Sequence, residues 1–345
     1  MKRLFRSVLL VGLFTSCLVN AGGRTMNSKV WLNGINLPWI EFGRDFGSGR
    51  NTIPKMAEAF AKFEAAGVDS VRIWIHCDGR ANPLFDEPGG FVTGLPAGFL
   101  DEFEAMLDAA RAHGIKVMPA LWSFDMVKDR RLEADCGPFA GVQQNLLLKD
   151  EYLESYIEKA LVPLLKRCDA HPALYAWEIC NEPEWMVEDL GIPKKVVQRF
   201  HGRIAAAIHA HGTKPVTTGS AGIKWNSDVI PLAAGNWWSD EGLQAAWPDT
   251  LAYLDFYQVH YYDWMLKEGF DPYRYSPKDL GLDKPVMIGE APGKDGKKYT
   301  VNQMLMLARE QGYFGHYFWS YAANDGHGDW ERIKAGQSGK GQGHE

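Results

Sequence analysis

Apolar residues recur along the chain in two alternating patterns. Stretches such as 56–63 and 99–107 carry apolar residues at the spacing of one helix face, which predicts amphipathic helices. Four helical stretches end in a glycine, which adopts the left-handed cap conformation without steric cost, and an apolar strand follows each of them directly. These four strands are predicted at 68–74, 115–121, 215–218 and 316–319.

Four further apolar runs bring the predicted strands to eight; they lie at 31–36, 174–179, 256–260 and 286–289. Strands that alternate with helices pair in parallel, and eight of them predict a closed (β/α)8 TIM barrel, an α/β fold with a single domain. An open doubly wound sheet is the alternative, but no Gly-rich phosphate loop follows the first strand. We place the barrel at 27–332 and expect the Gly-rich tail, 333–345, to be disordered.

Composition limits the size of the core and the kind of partner. The 345 residues are 46% hydrophobic and 23% charged, with a formal net charge of −6, which is ample for one large core. Because no basic block or stripe occurs, we expect no nucleic acid partner. The 13 Trp and 13 Tyr are a high load, and several lie beside polar strand ends, where sugar faces can stack. We expect a monomer.

The first 21 residues have the parts of a secretory signal peptide. A basic start precedes an apolar run, 7–14, too short to span a bilayer, and small residues around Ala21 form a cleavage site. We therefore predict a signal peptide at 1–21 and a secreted or periplasmic protein. Lipid anchoring at Cys17 is an alternative, which Phe14 weakens because a lipobox prefers Leu there. No later run is suited to crossing a membrane.

Four cysteines follow the predicted signal peptide: Cys77, Cys136, Cys168 and Cys180. Export permits disulfides, but a chain this large does not need them, and the spacing fixes no pairing. We expect buried free thiols, with one bridge as the alternative. No CxxC pair and no His/Cys cluster has zinc spacing, and His76 with Asp78 lacks a third ligand. We expect no metal and no cofactor.

Two predicted strands end in a glutamate, Glu182 within 176–184 and Glu290 within 285–293. Burying an unpaired carboxylate is costly, so a strand tip rarely carries Glu unless something there uses it. A TIM barrel gathers its chemistry at the carboxyl ends of its strands, which would bring the two tips together. Two carboxyls flanking one bond are what glycoside hydrolysis requires. The pair predicts a retaining polysaccharide hydrolase.

The other strand ends also carry polar and aromatic residues. In chain order they are Asn36, His76, Trp122, Asn181, Ser220, His260, Tyr262 and Trp319. A barrel with a purely structural role does not need such an edge. The recurrence is therefore stronger evidence for a site than any one of these residues.

The residues resemble clan A of the glycoside hydrolases and, within it, glycoside hydrolase family 5. The resemblance rests on Asn181-Glu182-Pro183 after an apolar strand, with a second strand-end Glu later. The segments most similar to the β-1,4-mannanases of that family are 71–74, 176–183, 255–262 and 318–319. Two departures near the expected cleft bear on sugar specificity. Segment 291–293 replaces the usual Phe-Gly, and Glu184 stands where mannanases often carry Arg.

The resemblance implies a role for each polar residue of the site. Glu182 is expected to be the general acid/base and Glu290 the nucleophile, about 5–5.5 Å apart. Arg72 is expected to keep Glu290 ionised, and Asn181 to bind the 2-hydroxyl of the reacting sugar. A structural interpretation of Arg72, as the partner of Glu178 in the barrel interior, remains open.

The remaining expected substrate-site residues are His260, Tyr262, Trp319, Trp74 and Trp122. The resemblance implies that His260 and Tyr262 orient the two carboxylates and that Trp319 floors the subsite of the cleaved sugar. A hydrogen-bonded core histidine is the lesser alternative for His260. For each of four tryptophans, a sugar platform and core packing are about equally expected: Trp74, Trp122, Trp185 and Trp264. Glu184, Glu188 and Asp189 are expected at the solvated start of a loop.

The resulting prediction is an exported endo-β-1,4-mannanase that cleaves mannan or glucomannan by double displacement. Alternatives with the same mechanism are an endo-β-1,4-glucanase and an exo-acting β-mannosidase or β-glucosidase. A non-catalytic carbohydrate-binding barrel is a further alternative, against which the two glutamates argue. Segments 125–145 and 225–247 are long enough to close one end of a cleft, so endo versus exo action stays open.

Overall fold

Eight parallel strands close into a barrel, as the alternation of helices and strands predicted. The structure is a computed structural model that describes residues 30–86, 90–128, 141–322 and 325–338; the predicted signal peptide, Cys17 and Cys136 lie outside them. In chain order, β1–β8 are Leu32–Asn36, Ser70–Cys77, Lys116–Ser123, Trp177–Asn181, Val216–Ser220, Tyr257–His260, Val286–Pro292 and Gly315–Trp319. Strand β8 closes on β1, so the alternative of an open sheet is wrong.

Helices surround the barrel. In chain order, α1–α10 are Ile53–Ala65, Phe99–Ala112, Asn145–Leu148, Asp150–Tyr156, Val162–Cys168, Glu184–Glu188, Lys194–His211, Asp240–Ala246, Val301–Glu310 and Trp330–Ser338. A π-helical turn, Ile157–Leu161, joins α4 to α5. The 3-10 turns are Phe124–Val127, Ile223–Trp225, Asp263–Glu268 and Pro272–Arg274. Two short ribbons pair Leu84–Phe85 with Val92–Gly94 and Asn226–Ser227 with Gly235–Asn236.

The glycines that end helices allow a direct comparison with the sequence pattern. Gly67, Gly114 and Gly312 have φ angles of 76°, 67° and 86°, the left-handed conformation expected of a cap. Gly212 is instead extended, with a φ of −124°. A Cβ at Gly212 would lie 2.6 Å from Oδ1 of Asp169. The reason for glycine at this fourth position is therefore close packing and not a left-handed turn.

Apolar side chains fill the amino end of the barrel. The cluster consists of Leu32, Met118, Ala176, Phe256, Met287, Phe314 and Tyr317. Gly34 faces the ring of Tyr317 so closely that a Cβ there would lie 2.4 Å from ring carbons. This packed layer holds the strands together beneath the site at the opposite end.

The carboxyl-terminal helix corrects one expectation. Helix α10 reaches Ser338, with Ile333 and Gln337 buried, and the Gln337 amide donates to the Gly34 carbonyl at 3.3 Å. The expected disorder from residue 333 is thus wrong for 333–338, because an apolar and an amide side chain find partners on the barrel. Residues 339–345 lie outside the described part of the chain.

Three of the four cysteines that follow the predicted signal peptide lie in the described part of the chain. Cys77, Cys168 and Cys180 are buried and free, as predicted. Burial raises the pKa of the Cys168 thiol to about 12, so it stays protonated at neutral pH. Within the described residues, no helix has the length and apolar character needed to cross a membrane.

Candidate active site

A cavity of about 510 Å³ opens at the carboxyl end of the barrel. Its wall brings together Asn181 at the end of β4, Glu182 directly after it, Tyr262 after β6 and Glu290 on β7. The other lining residues are Trp74, Phe124, Trp185, Trp264, Trp319, Asp325 and His327. The structure thus places most of the predicted site residues around one cleft, because parallel strands all end at the same face.

Two donors hold Glu290, one from β2 across the barrel and one from just after the neighbouring β6. Arg72 donates from Nη1 to Oε1 at 2.6 Å, and the Tyr262 hydroxyl donates to Oε2 at 2.7 Å. Burial raises the pKa of the Glu290 carboxyl, and the positive charge of Arg72 and the Tyr262 hydrogen bond oppose that rise. These contacts favour the ionised carboxylate, which is the form that a nucleophile requires.

Arg72 lies between two carboxylates in the barrel interior. Its Nε and Nη2 donate to Glu178 at 2.6 and 2.5 Å, and Nη2 also donates to Asn181 Oδ1 at 2.7 Å. Burial by itself would lower the pKa of Arg72, but the charges of Glu178 and Glu290 outweigh it and raise that pKa. Arg72 therefore has both of its expected partners, Glu178 in the barrel interior and Glu290 in the site, because one guanidinium reaches both.

Glu182 follows β4 in an unusual backbone conformation. Its φ of 46° lies in the left-handed region, which costs a non-glycine residue about 1–3 kcal/mol. Its N–H donates to the Gly219 carbonyl at 2.6 Å. The Trp185 indole donates to Oε2 at 2.8 Å, and His260 Nδ1 lies 2.9 Å from Oε1. The carboxylate direction is thus fixed by the backbone and by two neighbouring rings.

The protonation of Glu182 differs from that of an ordinary surface glutamate. Burial raises the pKa of its carboxyl to about 7, and the hydrogen bond from Trp185 opposes the rise. Burial also lowers the pKa of His260 to about 4, so this imidazole is neutral at neutral pH. A carboxyl with a pKa near 7 is protonated often enough to act as a general acid at that pH.

The two carboxylates approach each other closely around His260. One oxygen of Glu182, one oxygen of Glu290 and one His260 ring nitrogen all lie within 4.8 Å of one another. This approach is far shorter than the roughly 6.5–9.5 Å between the carboxyls of inverting glycosidases and is close to the retaining separation. These three side chains could also hold a cation, but the hydrogen bond between His260 and Glu182 explains their proximity, and the Arg72 guanidinium beside Glu290 disfavours a metal ion.

Comparison with known proteins places this geometry in a family. Residues 27–325 match the family model described as cellulase (glycosyl hydrolase family 5). The chain belongs to glycoside hydrolase family 5. It is 28% identical to a mannan endo-1,4-beta-mannosidase of Mytilus edulis, covering 91% of this chain and 90% of that protein. It is also 26% identical to the enzyme of the same name from Cryptopygus antarcticus, covering 93% and 90%.

Solved structures agree with the family assignment. The endo-1,4-beta-mannanase of Eisenia fetida superposes with a TM-score of 0.80 at 28% identity, over 91% of this chain and 92% of that one. The beta-1,4-mannanase of Aplysia kurodai superposes with a TM-score of 0.77 at 30% identity, over 90% and 92%. The protein is therefore a family 5 glycoside hydrolase with a single (β/α)8 domain.

Two of the tryptophans expected at the substrate site line the cleft of this glycoside hydrolase. Trp74 and Trp319 have ring centroids 5.7 Å apart. Only 5–6% of the surface of each residue is exposed, and both residues line the cavity. Trp319 also donates from its indole to Asp325. These rings stand on the side of the cleft near Glu290, where a sugar can stack.

Trp122 does not reach the cleft. It is wholly buried, and its ring lies 4.8 Å from that of His76 and 5.3 Å from that of Tyr156 on α4. The expectation that Trp122 binds substrate is therefore wrong. A side chain at a strand end can either enter the site or pack against the surrounding helices. Trp122 packs against Tyr156 of α4.

Trp185 and Trp264 belong to the cleft, with ring centroids 5.8 Å apart. The sequence left both of them undecided between core and platform. Trp185 lies beside Glu182, and Trp264 is 40% exposed. The hydrogen bond from Trp185 to Glu182 was missed, and the spacing of three residues within one turn is the sequence signal that could have indicated it.

Glu184 is buried and not in a solvated loop. Its carboxylate accepts hydrogen bonds from Ser220 Oγ at 2.5 Å, from the Ala221 N–H at 2.9 Å and from the Trp238 indole at 2.7 Å. Burial raises its pKa to about 7, and these donors oppose the rise. Glu184 ties the start of α6 to the end of β5, so the residue after Asn-Glu-Pro supports the turn that carries Glu182. The expectation of a solvated Glu184 is wrong; Glu188 and Asp189 are exposed.

Proposed function

We propose that this family 5 hydrolase is a retaining endo-β-1,4-mannanase. The observation that carries the proposal is the pair of carboxylates within 4.8 Å of each other with unlike partners. Glu290 is held by a guanidinium and a phenol, whereas Glu182 is held by an indole and a neutral imidazole. Unlike hydrogen-bond partners suit the two carboxyls to different roles.

The proposed reaction has two displacements. Glu290 attacks the anomeric carbon and forms a glycosyl-enzyme, while Glu182 gives its proton to the departing glycosidic oxygen. Glu182, now ionised, then takes a proton from water as that water attacks the same carbon and releases Glu290. Arg72 and Tyr262 stabilise the Glu290 carboxylate before attack and after release. Asn181, held by Arg72, is proposed to bind the 2-hydroxyl of the reacting sugar.

The mannan specificity and the endo action are supported by two further observations. The relatives named above are mannan endo-1,4-beta-mannosidases, although the family model is described as cellulase. Two pairs of tryptophan rings line the cleft that contains the carboxylate pair: Trp74 packs against Trp319, and Trp264 packs against Trp185 beside Glu182. Several sugar platforms in one cleft suit the binding of more than one sugar of a polymer.

Product analysis tests the substrate. Linear mannan, glucomannan and carboxymethylcellulose are digested in parallel, and products are separated by size over time. We expect faster turnover of the two mannans, with a mixture of oligosaccharides early in the reaction. Equal or faster turnover of carboxymethylcellulose would replace the mannanase by an endoglucanase, and release of a single small sugar from the start would indicate exo action.

Two conservative variants test the mechanism. Glu290→Gln should abolish turnover of every substrate, because no glycosyl-enzyme can form. Glu182→Gln should keep some activity on a dinitrophenyl glycoside, whose leaving group needs no proton, and azide should accelerate it. Thermal unfolding of both variants is measured as a control, and we expect the fold to survive. If the two variants respond alike to leaving group and azide, the assignment of roles fails.

We also propose that the protein is exported as a monomer after removal of residues 1–21. The support is the order of basic, apolar and small residues in that segment. Sequencing the amino terminus of the mature protein, together with light scattering, tests this. A mature protein that begins at a lipid-modified Cys17 would establish the anchored alternative, and a terminus at Met1 would contradict export by this route.

A further inference from the structure

We infer that Trp185 is a positioning residue for the acid/base glutamate: its indole N–H holds one carboxyl oxygen of Glu182 and sets the direction of that carboxyl group. The inference rests on the proposed role of Glu182. It concerns a residue whose function in the cleft would otherwise be limited to stacking on a sugar.

The contact between Trp185 and Glu182 is short and lies inside the cleft wall. The indole nitrogen is 2.8 Å from Oε2, while the other oxygen, Oε1, lies 2.9 Å from Nδ1 of His260. The same His260 nitrogen is 3.6 Å from Oε2 of Glu290. Oε1 is therefore the oxygen of Glu182 on the side of the nucleophile, and Oε2 is the oxygen on the side of Trp185.

An indole N–H donates a hydrogen bond and cannot accept one. An ionised carboxylate accepts such a bond more strongly than a protonated carboxyl group does, so the indole favours the ionised form of Glu182. The same bond fixes the rotation of the carboxyl group, because Oε2 stays with Trp185 while Oε1 faces His260 and Glu290.

The Trp185 indole is itself held in place. Trp185 is the second residue of α6 and follows Glu184, whose carboxylate accepts hydrogen bonds from Ser220, Ala221 and Trp238. Its ring packs edge-on against Trp225 at 5.4 Å, and the Trp225 indole donates to Glu188 at 3.0 Å. The donor is thus fixed by the tertiary structure before substrate binds, which is a property of preorganised catalytic groups.

Other charged and titratable groups also face Glu182 and act on its protonation. They are Arg72 on β2, Asp125 after β3, Glu178 on β4, His260 on β6, Tyr262 after β6 and Glu290 on β7. A change at Trp185 leaves each of them in place. A shift in the pH profile of a Trp185 variant can therefore be attributed to the lost indole hydrogen bond.

The test replaces Trp185 by Phe, which keeps an aromatic ring against Trp225 and Trp264 and removes the N–H. The matched control is Trp264→Phe, the same chemical change in the adjacent cleft ring, for which no hydrogen bond to Glu182 occurs among the described residues. The pH dependence of kcat/KM is measured on a mannooligosaccharide and on a dinitrophenyl mannoside. Thermal unfolding is followed for both variants.

A donor favours the ionised form of the carboxyl, so its loss makes Glu182 a weaker acid. In Trp185→Phe we expect the alkaline limb of the profile to move up by about one pH unit, the size of one lost hydrogen bond to a charged group. We also expect kcat/KM to fall about tenfold for the oligosaccharide and to change little for the dinitrophenyl substrate. Trp264→Phe should alter KM and leave the alkaline limb in place.

The inference is overturned if the limb of Trp185→Phe does not move, if Trp264→Phe moves it equally, or if both substrates slow by the same factor. If Trp185→Phe does not fold, benzothienylalanine at position 185 keeps the fused ring without the N–H and gives the same test. Glu182→Gln is assayed alongside. If that variant also fails to distinguish the leaving groups, the proposed role of Glu182 fails; if it distinguishes them and Trp185→Phe does not, only the present inference fails.

Discussion

The two ends of the barrel interior are made from the same strands and have opposite character. At the amino end, Met287 of β7 lies in a wholly apolar cluster. Three residues along the same strand, about 10 Å away, Glu290 lies in a hydrogen-bonded network with Arg72 and Tyr262. The apolar layer at the amino end therefore stabilises the fold by packing. The layer at the carboxyl end carries buried charges, which add little to stability and indicate a functional role.

Glycine makes room for the charged layer. A Cβ at Gly219 would lie 2.5 Å from Oε1 of Glu178, and a Cβ at Gly289 would lie 2.1 Å from Oε1 of Gln258. Gln258 in turn donates to Glu178 at 2.8 Å. Glycine at positions 219 and 289 therefore leaves space for Glu178 and Gln258, which belong to the buried network around Arg72.

The largest effect is expected from removing the central charge of the carboxyl end. Arg72→Met leaves Glu178 and Glu290 without their buried cation, which should destabilise the fold by about 3–5 kcal/mol. Glu290 should then be held protonated, so activity should fall at least a thousandfold. Denaturant unfolding and kcat/KM measure both. A folded Arg72→Met enzyme with near-normal turnover would contradict the role of the network.

The matched change at the amino end should separate stability from chemistry. Met287→Ala removes a wholly buried side chain and should cost about 2–5 kcal/mol of unfolding free energy. Because Met287 touches none of the catalytic groups, kcat/KM of the folded fraction should equal that of the parent. The measurement is activity well below the unfolding transition. A rate loss similar to that of Arg72→Met would show that the two layers are coupled.

Two tryptophans at strand ends offer a smaller contrast within the carboxyl end. Trp319→Phe should lower kcat/KM about tenfold through weaker sugar stacking, with little change in melting temperature. Trp122→Phe should instead cost about 1–3 kcal/mol of stability and leave KM unchanged, because Trp122 packs against Tyr156. Steady-state kinetics and calorimetry on both variants provide the check. An altered KM in Trp122→Phe would restore its predicted role in binding.

The smallest effect concerns pH. The folded pKa of Glu182, about 7, lies above its ordinary value of 4.5, so the acid loses its proton above pH 7 and kcat/KM should decline there. The raised pKa also means that its contribution to stability is present at low pH and is lost as pH rises through 7. Met287→Ala should show the same pH profile as the parent. An alkaline limb absent up to pH 9, about two units above that pKa, would contradict the assignment of Glu182.

The two glutamates that meet at the cleft could be recognised in the sequence because their signal is local. An apolar run that ends in Asn181-Glu182-Pro183, and another that ends in Glu290, can be recognised without knowledge of what surrounds them. Trp122 was assigned wrongly for the same reason. Its position at a strand end is identical in the sequence pattern, but its direction depends on Tyr156, which comes from a helix that the pattern does not relate to it.

The sequence by itself determined the alternation of helices and strands, the closed barrel, the two glutamates and the family, because each depends on periodicity or on a few adjacent residues. Tertiary structure decided the rest. The burial of Glu184 and the double role of Arg72 join residues from different strands and loops. The physical reason is that a carboxyl group's protonation depends on which donors and charges surround it, and only the closed barrel brings those groups together.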